Sequence, residues 1–188
     1  MGCLFGSLLL LFISCAAMPP PPPPSPYAPV YVTNRAKFSL LSPAHLETPL
    51  DRPQQITGTY GNQEFVMQAW VSADEYGVTM SLFNGFGASL GELSFTETGI
   101  SLVSGVFPAS AKPEYIIADF QFCFYRADAL SHALKSCGLT LETRRNGQTE
   151  IRTIRERKEK IVEIEKTSEM IRYTNHLRKY AYTLEGVF

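Results

Sequence analysis

Alternation of apolar and polar side chains is sustained most clearly from Glu64 to Val71. Phe65, Met67, Ala69 and Val71 fall on one side of an extended chain there, and Val66, Gln68 and Trp70 on the other. A period of two marks a β-strand with one face buried. Val78, Met80 and Leu82 repeat the pattern, and the intervening Ala73-Asp74-Glu75-Tyr76-Gly77 has the polar residues and glycine of a hairpin connection. The same criteria predict strands at Gly91–Thr96, Gly99–Val103, Ile116–Tyr125, Leu139–Arg144, Met170–Thr174 and Tyr180–Glu185. Short strands separated by turn signals imply a meandering antiparallel sheet.

Helical spacing is clearest in Ala127–Ser136, where Leu130, Ala133 and Leu134 share a face and Gly138 follows as a C-terminal stop. A shorter helix is expected over Phe38–Leu46, limited by Pro43. Thr149–Lys166 suits either a charged helix or two β-branched strands. The dipeptide Asn146-Gly147 favours the strands, because Asn-Gly after an extended segment is a strong hairpin signal. The expected fold is therefore mostly β, of the α+β class. Helices lying across a curved sheet bury its apolar face and leave a cavity where closure is incomplete.

The chain start changes the picture from a free domain to a tethered one. Leu4 to Ile13 is a largely apolar, uncharged run with the size of a signal-peptide core, too short to span a bilayer. Ser14-Cys15 closes it and resembles the lipobox of bacterial lipoproteins, although Phe12 stands where leucine is usual and no lysine or arginine precedes the run. An ordinary cleaved secretory signal ending within Ser14–Ala17 is the alternative. Myristoylation at Gly2 fails its motif, which wants serine or threonine where Gly6 stands. The lipobox resemblance implies acylation of Cys15, and Ala16 behind it implies sorting to the outer membrane, facing the periplasm. Acyl chains on one cysteine anchor firmly because each buried methylene adds about 0.8 kcal/mol. Pro19 to Pro24 then reads as a stiff, extended spacer or as a plain leader. The expected organisation is a signal peptide over 1–14, lipidated cysteine and spacer over 15–34, and one domain over 35–188. The formal net charge of −1, with signs interspersed, gives no nucleic-acid footprint.

Within the domain, Ser81-Leu82-Phe83-Asn84-Gly85-Phe86-Gly87-Ala88-Ser89-Leu90-Gly91-Glu92-Leu93 resembles the strand, loop and strand of LolB-type outer-membrane lipoprotein receptors. Phe65 to Trp70 resembles the strand that precedes it there. From about Gln55 onward, Pro113-Glu114-Tyr115-Ile116, Asp119-Phe120-Gln121, Tyr173-Thr174-Asn175, Arg178 and Tyr180-Ala181-Tyr182 are similar to a family of uncharacterised LolB-like bacterial lipoproteins associated with aryl polyene clusters. The resemblance implies a LolA/LolB-like unclosed antiparallel β-barrel with a helical lid over an apolar cavity. It also implies a lipid or acylated cargo, taken from a periplasmic carrier protein and passed to the outer membrane. Cavity candidates are Phe65, Met67, Trp70, Met80, Leu82, Phe120, Phe122 and Phe124. Phe86, between Gly85 and Gly87, matches the loop residue that assists membrane insertion; folding back into the core is the alternative for the same side chain.

Reactive chemistry finds little support. His45, His132 and His176 lack ligand-like spacing, so no metal is expected. The chain has no glycine-rich phosphate loop, and neither an enzyme nor a cofactor is expected. Glu114 and Asp119 would face opposite sides of a regular strand. Cys123 and Cys137 either pair as a disulfide or remain buried thiols. Arg144, Arg145, Arg152, Arg155, Arg157, Lys158 and Lys160, interrupted by glutamates, read as a solvated hairpin, with contact to anionic lipid headgroups as the alternative.

Overall fold

The computed structural model describes residues 27–106 and 112–186. The signal segment, Cys15 and the proline tract lie outside the described residues. Among those described, β1 (Val30–Tyr31) pairs with β2 (Lys37–Phe38), followed by a 3₁₀ turn at Pro43–His45. Then come β3 (Leu50–Tyr60), β4 (Gln63–Ala73), β5 (Gly77–Phe83), β6 (Ser89–Thr96) and β7 (Gly99–Val103). Two helices, α1 (Pro113–Phe124) and α2 (Ala127–Ser136), lead into β8 (Thr140–Asn146), β9 (Thr149–Glu156), β10 (Glu159–Lys166), β11 (Met170–Asn175) and β12 (Tyr180–Glu185). The last ten strands make one antiparallel sheet in the order β7-β6-β5-β4-β3-β12-β11-β10-β9-β8. β7 and β8 end the order without pairing, so this is an unclosed barrel with a helical lid.

Local chemistry explains most of the sheet. Inward positions on β4 are those of the period-two pattern, with Ala69, Val71 and Ala73 buried. Gly147, at φ 60°, makes the turn that Asn146-Gly147 requires, and β9 returns along β8. The ambiguous Thr149–Lys166 segment is two strands, as the hairpin signal indicated. β3 was not anticipated because it contains Pro53. Proline is tolerated there because β12 pairs only with Gln55–Tyr60, leaving Pro53 a partner on the β4 side alone.

Two expectations are corrected. Ile116–Tyr125 is not a strand: it lies almost wholly in helix α1. The alternating Phe120, Phe122 and Phe124 imitate a strand because this helix is buried on two sides, so polar residues do not mark a solvent face. Pro113 at the first position and Glu114 in the first turn start it. Phe38–Leu46 is not a helix either. Phe38 belongs to β2 and only Pro43–His45 turns, capped by Ser42, whose hydroxyl accepts from Ala44 N–H at 3.2 Å.

The folded part also begins before Arg35. Val30 and Val32 are buried, so residues from Tyr27 onward form a strap over the helical layer rather than spacer. Phe38 packs on Phe122 with ring centroids 5.0 Å apart. The Gln121 amide completes the seam: its Oε1 accepts from Leu41 N–H at 3.0 Å, and its Nε2 donates to Leu41 C=O at 2.9 Å.

Candidate functional site

α1 lies across the inner face of the sheet and encloses a cavity of about 210 Å³. The helix contributes Ile116, Asp119, Phe120, Cys123 and Phe124, whose spacing of three and four places them on one face. From the sheet come Gln54 and Ile56 of β3, Phe65, Met67, Ala69 and Val71 of β4, Met80 and Leu82 of β5, and Tyr182 and Leu184 of β12. Burial grades along the wall: Ala69, Val71, Met80 and Leu82 are buried, whereas Phe65, Met67 and Tyr182 are partly exposed and Ile116 is exposed. The cavity is therefore closed at the Val71 end and accessible at the Phe65 end. Three larger hollows among the described residues, of 300, 470 and 610 Å³, are more open to the surface.

Three polar fastenings hold the lid. The Asp119 carboxylate accepts from Tyr173 OH at 2.5 Å and from Tyr180 OH at 2.7 Å, tying α1 to β11 and β12. Tyr173 stacks on Tyr182 with centroids 4.8 Å apart, which fixes those donors. Although part of Asp119 is open to the cavity, that space is apolar. Desolvation pushes its carboxyl up to about 7, with the two tyrosine hydrogen bonds and the nearby Arg178 charge opposing the shift. Desolvation likewise pushes the Cys123 thiol up to about 12, helped by the Asp119 charge. The second fastening is Arg152, only 2% exposed, whose Nη1 donates to the carbonyls of Phe122 at 3.2 Å and Tyr125 at 2.7 Å. α1 has no basic residue in its last turn, so β9 supplies the cation its carboxyl end favours. Gln121 of α1, bonded to Leu41 of the strap, is the third.

The β5–β6 connection projects from the accessible end, since Asn84 follows the cavity residue Leu82 by two positions. Asn84 Oδ1 accepts from Phe86 N–H at 3.0 Å and Ala88 N–H at 2.9 Å, while Gly87, at φ 80°, closes the loop onto Asn84 C=O at 2.9 Å. Phe86 at the tip is 99% exposed.

A family model described as a protein of unknown function, DUF3261, matches residues 51–187, which is most of the chain and nearly the whole ten-stranded sheet with its lid. The chain belongs to the DUF3261 family. Among curated proteins, none matches it.

In this DUF3261 fold, Phe65, Met67, Met80, Leu82, Phe120 and Phe124 meet in the cavity as the sequence suggested. Trp70 does not. It is on the outer face of β4, 47% exposed, and its indole N–H donates to Asp51 at 2.8 Å, as its odd place in the alternation requires. Phe122 is absent from the wall as well, because two residues along a helix turn a side chain away; it faces Phe38. Phe86 is exposed and does not fold back. Cys123 and Cys137 are free thiols: Cys123 faces the cavity, and Cys137, at the end of α2, donates to Leu134 C=O at 3.1 Å. Glu114 and Asp119 are on a helix rather than a strand. Arg152 leaves the solvated set entirely, whereas Arg155 pairs with Glu142 at the surface at 3.0 Å.

Gln54 and Asp119 are among the DUF3261 cavity residues that the sequence did not single out for this place. Gln54 lies in the strand disguised by Pro53. Asp119 lies three residues after Ile116 and four before Cys123, a helical spacing visible only once α1 is recognised as a helix.

Proposed function

We propose that this protein is a non-catalytic, LolB-like lipoprotein, held at the outer membrane through Cys15 and facing the periplasm. Its cavity under α1 receives an acyl chain of a lipid or acylated molecule, handed over by a periplasmic carrier protein, and aids delivery to the outer membrane. One observation supports this most: an apolar hollow between sheet and lid opens at the end of the sheet that carries the exposed Phe86 tip. Burial of hydrocarbon, worth roughly 0.8 kcal/mol per methylene, supplies affinity without directional bonds. An aromatic held outward can enter a bilayer interface, bringing the mouth to the acyl layer.

Mass spectrometry of lipid extracted from the purified full-length protein tests the reading. Acyl species are expected with the wild type and are expected to disappear in Ala69→Phe, which fills the hollow at a buried position. Absence from the wild type, or equal recovery from the filled variant, counts against it. The runner-up is an assembly accessory that binds a protein partner. The open β7 edge with Val103 72% exposed favours it, since an edge strand accepts a strand from elsewhere.

A further inference from the structure

Buried polar groups are nearly always hydrogen-bonded, so an orphan on a cavity wall asks for a partner. Gln54 is such a group. It is 4% exposed, lines the cavity from β3, and its Nε2 has no hydrogen-bond partner. Gln121, the other buried glutamine, shows the contrast, because both ends of its amide are matched by Leu41. An amide N–H without a partner in an apolar hollow destabilises the empty protein, and a ligand oxygen placed against it removes that penalty.

The rest of the wall restricts what carries the oxygen. Among the described residues no lysine or arginine lines the cavity, and Asp119 occupies the opposite wall on α1. A free carboxylate buried there would meet a second carboxyl and no basic side chain on the wall. An ester or amide carbonyl accepts the Gln54 N–H without introducing charge. The volume is below the roughly 300 Å³ at which pockets for whole drug-sized ligands begin, so it suits a segment of one chain and not a headgroup. We propose that Gln54 is the polar contact for the neutral carbonyl of a single acyl chain, making the cavity selective for acyl esters or amides over free fatty acids and plain hydrocarbon. This rests on the acyl-binding reading above and adds the class of ligand to it.

Full-length protein in lipid nanodiscs, irradiated with three photoactivatable sixteen-carbon probes, separates the two claims. The probes are a methyl ester, the free acid and an alkane, each with its diazirine near the chain end. Wild-type protein is expected to label on peptides bearing Met67 and Leu82, with the ester ahead of the other two by about tenfold, the size of one satisfied hydrogen bond. In Gln54→Leu the ester loses that advantage while alkane labelling is unchanged. The variant folds more stably, because it removes an unpaired polar group, and a raised melting temperature confirms that it is intact. Gln54→Met repeats the test with an unbranched side chain. Equal labelling by ester and alkane in the wild type, or an advantage that survives both substitutions, overturns the role of Gln54 and leaves acyl binding standing. Failure of every probe to label the cavity overturns both.

Discussion

Arg152 donates from Nη1 to the carbonyl oxygen of Tyr125 at 2.7 Å, joining a strand of the second half of the sheet to the end of the lid helix. The same guanidinium reaches Glu150 at 2.5 Å and Glu47 at 3.0 Å. Arginine suits this place because its planar fork presents several donors in fixed directions and its charge complements a helix C-terminus.

Arg152→Met is expected to destabilise by about 3–5 kcal/mol, because it strands the largely buried Glu150 and two helix carbonyls. Arg152→Lys should recover part of the loss, restoring charge without the fork. Urea denaturation of the three proteins measures it, and a loss under about 1 kcal/mol for the methionine variant would refute a structural role for the fork.

Asp119 ties protonation to the fold. Its carboxyl is raised from an ordinary value of 3.8 to about 7, so the folded state holds the proton more tightly than the unfolded chain. The stability this brings is fully present below about pH 4 and is lost as pH rises through about 7. Asp119→Asn cannot ionise and should flatten that slope. Denaturation midpoints of both proteins between pH 4 and 8 are expected to converge or cross as pH rises; parallel profiles would contradict a raised carboxyl.

Phe86 separates membrane contact from stability. At 99% exposure it packs on nothing, so Phe86→Glu should leave the melting temperature unchanged while reducing co-flotation with phospholipid vesicles. Asn84→Ala releases the two backbone N–H groups that its side chain binds, and should give a smaller loss by loosening the tip. Undiminished flotation of the Phe86→Glu protein removes the tip from the membrane model.

The sequence was informative wherever a segment records its own burial. Phe65, Met67, Ala69 and Val71 alternate because one face of β4 is inside, and Asn146-Gly147 announces its turn because few residues take that backbone shape. Such signals placed most of the strands and six of the eight cavity candidates. They failed at α1, where burial on two sides erased the polar face by which a helix is recognised, and at β3, where a proline at a half-paired position reads as a break.

By itself, the sequence determined an antiparallel sheet covered by helix and an aromatic flanked by glycines at a loop tip, since period and turn chemistry act over a few neighbouring residues. Only the tertiary structure decided that Gln54 and Asp119 share one apolar hollow and that Arg152 is buried rather than solvated. Each of those depends on residues brought together from distant parts of the chain or across a strand pair. A residue's burial and hydrogen-bond partners are properties of that meeting, and no local pattern encodes them.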